Sequence, residues 1–198
     1  SNAGHVRVFE NNNGSWNQLG SDIDGEGSGD RFGGSVVLSS DGNRLAAGSV
    51  EGGYVKIYEY SNGSWSQLGN SITGSSSQFF GVSIDMNDTG TQVIVGAPYG
   101  GSGRSRVYTY SNGNWTQLGS DLNGLSNSDN FGAEVTMDGD GNKVAVGANQ
   151  DNNNGARVFE YSNGSWNQVG DSIAAENNGD GAGSSVALSQ DGSTIAVG

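Results

Sequence analysis

The phrase YSNGSWSQLG occupies residues 60–69, and near copies recur as NNNGSWNQLG at 11–20, YSNGNWTQLG at 110–119 and YSNGSWNQVG at 161–170. The tryptophans at its centre, Trp16, Trp65, Trp115 and Trp166, stand 49, 50 and 51 residues apart. A fixed period of this size marks stacked or radially arranged supersecondary units, each too small to bury an apolar face alone. No other feature of the chain narrows the choice of fold so far.

Each period resolves into four short strand-like runs. The first reads SVVLS at 35–39, with counterparts SIDMN, EVTMD and SVALS; a tight turn such as Asp41-Gly42 leads to the second, RLAAG at 44–48. The third is VRVFE at 6–10, then VKIYE, SRVYT and ARVFE, and the fourth carries the tryptophan. Asn-Gly separates the third run from the fourth in every unit, at Asn13, Asn62, Asn112 and Asn163. Both residues tolerate positive φ, which a two-residue type I′ hairpin requires. The recurring phrase is therefore a hairpin tip and the edge strand it launches. The sequons at Asn13, Asn62 and Asn163 are explained by the turn itself.

In the third run Val8, Ile57, Val107 and Val158 face one way. Phe9, Tyr58, Tyr108 and Phe159 share the other face with Arg7, Lys56, Arg106 and Arg157. A sheet apolar on both faces must be covered on both. Four-stranded sheets packed face to face around an axis do this, and about 50 residues suits one blade. The expectation is an all-β propeller of four four-stranded blades spanning 4–198, with 1–3 (Ser-Asn-Ala) set aside as a tag remnant. The chain opens on a third strand and closes on a second. Its terminal pairs are therefore expected to share one blade and stitch the ring shut. The same arithmetic lets two chains pair into an eight-bladed ring, so a monomer or a dimer is expected.

Composition excludes several functions. The 36 glycines and 32% hydrophobic residues mean many turns and short strands. A net charge of −13 repels phosphate backbones, so no nucleic-acid partner is expected. No apolar run nears the roughly 18–20 residues that insert into a membrane. Without cysteine there are no disulfides, thiolate metal sites or cysteine nucleophiles. His5 aligns with Tyr54, Arg104 and Gly155, so the repeat plan calls for no imidazole there.

Phe80-Gly81 before the first strand and Gly96-Ala97-Pro98 after the second resemble the FG-GAP repeat of integrin-α-type propellers. Phe32-Gly33 with Gly48-Ser49, Phe131-Gly132 with Gly147-Ala148, and Ala182-Gly183 with Gly198 match in part. The resemblance implies a non-catalytic extracellular or cell-surface module, a scaffold or adhesion domain with a protein or glycan surface as its ligand, and no enzyme. It also implies calcium in a DxDxDG-like loop, where this chain has only a tight hairpin. The nearest ligand series is Asp138, Asp140 and Asn142, with Asp85, Asn87 and Thr89 weaker, and a two-residue turn seldom wraps an ion. The expected cofactor is none, with calcium the alternative.

Other constellations each carry two readings. Asp30, Asp129 and Asp180 form a column before the Phe-Gly position: a carboxylate ring collecting cations or sugar hydroxyls, or Asx turns in loops. The four tryptophans are sugar-stacking platforms or packing elements between blades. The basic column is an anion site, or long stems lying on neighbouring rings with their heads paired to acids. Glu134 replaces the serine of its column (Ser35, Ser83, Ser185) and either lines the axial channel as a lone ionisable group or has no role. The alternatives to adhesion are a multivalent lectin built on the tryptophans and a glycan-active enzyme with one pocket at the channel mouth. A fragment of a longer array, or an engineered ring, is a further reading.

Overall fold

The Asn-Gly tips take the geometry their residue types suggest. In a computed structural model of the chain, described over residues 2–127, 129–150, 155–177 and 179–198, Asn13, Asn62, Asn112 and Asn163 have φ of 53, 51, 51 and 51°. The glycines after them have φ of 90, 82, 82 and 82°, so each turn has the two positive φ values of type I′.

Strands β1 His5–Val6, β2 Phe9–Asn12, β3 Ser15–Gln18 and β4 Ile23–Asp24 open the chain. The first intact blade is β5 Phe32–Leu38, β6 Arg44–Ser49, β7 Tyr54–Ser61 and β8 Ser64–Gln67, and β9 Ile72–Thr73 returns onto β7. The second is β10 Ile84–Met86, β11 Gln92–Ala97, β12 Arg104–Ser111 and β13 Asn114–Gln117, with β14 Leu122–Asn123 on β12. The third is β15 Phe131–Met137, β16 Lys143–Ala148, β17 Ala156–Ser162 and β18 Ser165–Gln168. A last pair, β19 Val186–Leu188 and β20 Ile195–Val197, ends the chain. All these pairings are antiparallel, and the one helical segment among the described residues is a 3₁₀ turn at Ser76–Gln78.

Register repeats with the sequence: Leu45 faces Tyr58, Val93 faces Tyr108 and Val144 faces Phe159. A one-residue slip would turn each buried set outward, which holds the register. The core lies between blades, where Val55, Ile57, Val93, Val107 and Val144 are fully buried, each worth about 1.5–3 kcal/mol of transfer. Successive first strands β5, β10, β15 and β19 lie against one another and form the inner rim.

The tryptophan column joins blade to blade. Trp65, Trp115 and Trp166 donate their indole N–H to the carbonyl oxygens of Leu19, Leu68 and Leu118 at 2.8, 2.8 and 2.9 Å. The basic column is structural too: Arg157 lies 4.1 Å from the Phe131 ring centroid, Lys56 pairs with Glu26, and Arg106 makes a two-pronged contact with Asp121 at 2.9 Å. The anion-site reading of these residues has no support in this geometry.

One expectation is corrected. The half-blades β2–β3 and β19–β20 do not complete one blade within the chain but stand as separate two-stranded sheets. Among the described residues no backbone ladder joins β20 to β2, so hydrogen bonds do not seal the ring there. Asn2 and Ala3, set aside on sequence, carry backbone hydrogen bonds: their carbonyls accept the Gly29 and Phe32 amides at 2.9 Å, as Ser102 accepts that of Phe131. Ser1 lies outside the described residues.

Candidate functional site

The expected tryptophan platforms are mostly closed. Trp115 and Trp166 are 4% and 9% exposed, each against the tyrosine opposite it on the neighbouring strand, so neither offers a ring face to a sugar. Trp16 alone is open, at 69% exposure.

The aspartate column closes loops from within. Asp30 accepts the Gly27 amide at 2.7 Å and the Tyr54 hydroxyl at 3.1 Å; Asp129 accepts the Leu125 amide at 2.9 Å, and Asp180 that of Asn177 at 2.8 Å. Asp138 accepts the Lys143 amide across its turn. Ser39, Asn87 and Ser189 do the same for Arg44, Gln92 and Thr194. Asp140 sits exposed on that turn. Among the described residues no three histidine, cysteine, aspartate or glutamate side chains gather as a metal site. Of the acids that resembled a calcium series, Asp138 and Asp85 spend oxygens on backbone amides.

The inner rim differs. Its strands alternate so that Ser35, Ser83, Glu134 and Ser185 form one column and Val37, Asp85, Thr136 and Ala187 the next on the same face. At the boundary between the second and third intact blades, polar residues fill both columns. The Ser83 hydroxyl accepts the Val135 amide at 3.1 Å, which sets it beside Glu134, the residue before Val135. Beside it, Asp85 accepts the Met137 amide at 2.7 Å, the Met86 amide at 2.8 Å and the Thr136 hydroxyl at 3.0 Å.

Both carboxyls are pushed above their ordinary range. For Asp85 burial is the main cause, opposed by its three donors. For Glu134 burial again leads; the Ser83 hydroxyl pulls the other way, and the Asp85 charge adds to the rise. With its oxygens committed to three donors, Asp85 is held in place. Glu134 is only half-buried, so its carboxyl keeps access to solvent.

Sequence reasoning singled out Glu134 and noted Asp85 only as part of a weak calcium series. The signal for Asp85 was present: a carboxylate in a column otherwise held by Val37, Thr136 and Ala187. What the sequence lacked was the partner, because Thr136 and Met137 lie on the neighbouring blade, about 50 residues on, one repeat period away.

No family model matches the chain, and no curated protein matches it. Solved structures do share its fold. A candidate 6-phosphogluconolactonase from Bacteroides uniformis ATCC 8492 superposes at a TM-score of 0.66 and 12% identity, over 99% of this chain and 52% of its own. One from Bacteroides fragilis NCTC 9343 gives 0.56 and 14%, over 82% and 41%. Hydrazine synthase of Kuenenia stuttgartiensis gives 0.56 and 14%, over 81% and 40%. The chain thus spans about half the length of these neighbours or less, and at such identities the likeness carries the fold alone.

The fold is all-β and propeller-like, as expected, while the FG-GAP resemblance finds no family match. The expectation of a non-catalytic adhesion module, and with it that of no enzyme, is corrected. Two of the neighbours that share this architecture are described as candidate lactonases. The short glycine motifs behind the adhesive reading serve close contact between blades, a demand of geometry common to propellers of many activities.

Proposed function

We propose that the inner rim carries a hydrolytic site for a cyclic ester of a sugar acid, a lactone, with Glu134 as general base. The observation that carries this reading is the polar cluster across the blade boundary, where Ser83 accepts the Val135 amide and Asp85 the Met137 amide and Thr136 hydroxyl on either side of the Glu134 column. Glu134 takes a proton from water as the water oxygen attacks the lactone carbonyl carbon. The ring C–O bond then breaks, and the leaving alkoxide takes that proton back from Glu134. The product is the open-chain hydroxy acid, and atoms and charge balance. A carboxyl raised toward the working pH is the better base for this transfer. Ser83 orients it, and Asp85 pins β10 to β15 so that the two strands keep their spacing.

The names of two structural neighbours support the substrate class, although those names refer to a phosphorylated lactone. Here a net charge of −13 and a carboxylate-lined rim favour an uncharged one. The test is pH-stat titration of the acid released from glucono-δ-lactone and, separately, from its 6-phosphate. Expected is hydrolysis of the uncharged lactone above the buffer rate, falling about 100-fold or more in Glu134→Gln. A rate equal to buffer on both lactones overturns the reading.

A further inference from the structure

Three intact blades define a set of contacts that the two ends of the arc leave half-made. In each blade the second strand pairs with the third, so that Arg44 faces Glu59, Ala46 faces Ile57 and Ala145 faces Val158. Among the described residues, strand β20 has this edge and no third strand beside it, and β2 has the facing edge and no second strand. By the same columns Thr194 would face Glu10 and Ala196 would face Val8.

Exposure follows the gap. Phe9 is 42% exposed where Tyr58, Tyr108 and Phe159 are 8%, 8% and 7%. Val36 and Leu38 are 53% and 45% exposed where Ile84 and Met86 are 8% and 6%. These residues line a groove running along Val6, Val8, Phe9, Val36 and Leu38 at one end of the arc. A second groove, along Val158, Val169, Leu188 and Ile195, opens at the other. Each has the place of one missing strand pair. Among the described residues, five of the eight exposed large hydrophobics, Phe9, Trp16, Val36, Leu38 and Val169, belong to the two ends, a clustering typical of interaction surfaces.

The locks between blades are also left open in matching halves. Trp65, Trp115 and Trp166 each lie over a glycine of the preceding blade or lead-in hairpin, Gly20, Gly69 and Gly119, whereas nothing lies within 4 Å of the Cβ position of Gly170. Trp16 is the key without a socket, and Val169-Gly170 the socket without a key. Along the turns, Ser40 donates its amide to Asp88, Asp88 to Gly139 and Gly139 to Gln190, at 3.0, 2.9 and 2.8 Å. That relay stops at the Gln190 amide on one end and begins with the Ser40 carbonyl on the other.

We infer that the two ends of this chain pair with those of a second copy, closing one ring from two arcs through two identical composite blades. Each composite blade takes β19 and β20 from one copy and β2 and β3 from the other. Two observations point to a second copy as the occupant. Every unmet feature of one end has its complement on the other end of the same sequence, in the register the intact blades define. In addition, the chain superposes over 99% of its length on 52% of a larger neighbour that shares its fold, so two copies match one such chain in length. Two equal arcs related by a two-fold axis satisfy both edges at once, and closure leaves no free edge for further growth. This assembly is independent of the hydrolytic reading of Glu134.

The test combines mass with cross-linking. Light scattering after size exclusion should give a species at twice 20.2 kDa. A species at 20.2 kDa, or a ladder of larger ones, overturns the inference. The chain has no cysteine, so single variants Glu10→Cys and Thr194→Cys carry one thiol each. Facing residues of an antiparallel pair lie about 4.5–5.5 Å apart at Cα, within disulfide reach. Under oxidation a mixture of the two variants should give a covalent dimer, while either alone gives none. A double variant that oxidises to a circular monomer would mean that each chain closes on itself. Both positions are exposed, so neither change is expected to prevent folding.

Discussion

Gly96 and Gly132 meet across a blade boundary so closely that a Cβ placed on Gly96 would lie 2.1 Å from the Gly132 carbonyl oxygen. The same approach joins Gly48 to Gly81 and Gly147 to Gly183, at 2.3 and 2.0 Å. The atom that must yield is backbone on an inner rim, where movement would separate two first strands. Gly96→Ala is therefore expected to cost about 1–3 kcal/mol or more by overpacking. Gly113→Ala should cost less, about 1 kcal/mol, because only its turn conformation is strained and nothing lies within 4 Å of the new methyl. Urea unfolding of the two variants measures the difference, and equal costs would mean that the blade boundary is looser than it stands.

Trp115 and Trp16 occupy the same column in opposite surroundings. Trp115→Phe should lose about 1–3 kcal/mol, since the Leu68 carbonyl keeps its place between blades without its donor. Trp16→Phe should change the stability of a single arc by no more than about 0.5 kcal/mol, because its indole is 69% exposed. In the paired assembly the same change should lower the share of the doubled mass. Thermal melts at low protein concentration isolate the first effect, and light scattering reads the second.

Most of the blade plan was legible in the sequence, because hairpin chemistry and strand alternation act over a few residues. Asn-Gly sets its own turn, and the alternation of Val107 with Arg106 and Tyr108 sets which face is buried. Closure was not legible, since the angle between blades comes from contacts such as Gly48 with Gly81 that no single repeat contains. The aspartates misled for a related reason. Asp30 and Asp138 have a ligand's chemistry, and only the position of the Gly27 and Lys143 amides shows that their oxygens are taken. Glu134 stood out as an odd member of its column, but the proton-transfer role proposed for it draws on Ser83 and Asp85, which lie on another blade.

Two kinds of carboxyl give opposite pH dependences. Asp191 is held at about 2 by the Ser189 hydroxyl and by the Ser193 amide and hydroxyl. A depressed carboxyl adds stability above its unfolded pKa near 3.8, and that contribution is lost as pH falls toward about 2. Carbon-detected NMR should show the Asp191 carboxylate ionised well below pH 3.8; protonation at the ordinary value would mean those hydrogen bonds do not persist in solution.

Glu134 has the reverse sign. Its folded pKa is raised above 4.5, so its contribution is fully present below that value and is lost as pH rises through the raised one. Glu134→Gln should therefore gain stability relative to the natural residue with rising pH, and the two should converge in acid. The same variant is expected to lose hydrolysis. Chemical unfolding at pH values on either side of the transition tests this, and a pH-independent difference would show that burial does not govern the carboxyl.

Salt should govern the pairing of arcs. Each copy carries −13, so two copies approach against a net repulsion. The contacts inferred at the junction are strand pairing, an indole in a glycine socket and apolar grooves, none of which salt weakens. Raising ionic strength from about 0.01 to about 0.15 M shortens the screening length from about 30 to about 8 Å. The repulsion then falls while the contacts remain, so the fraction at twice 20.2 kDa should rise with salt. An association held by charge pairs would respond in the opposite sense, and a fall in the doubled mass as salt is added would place charged residues, not β20 and β2, at the centre of the junction.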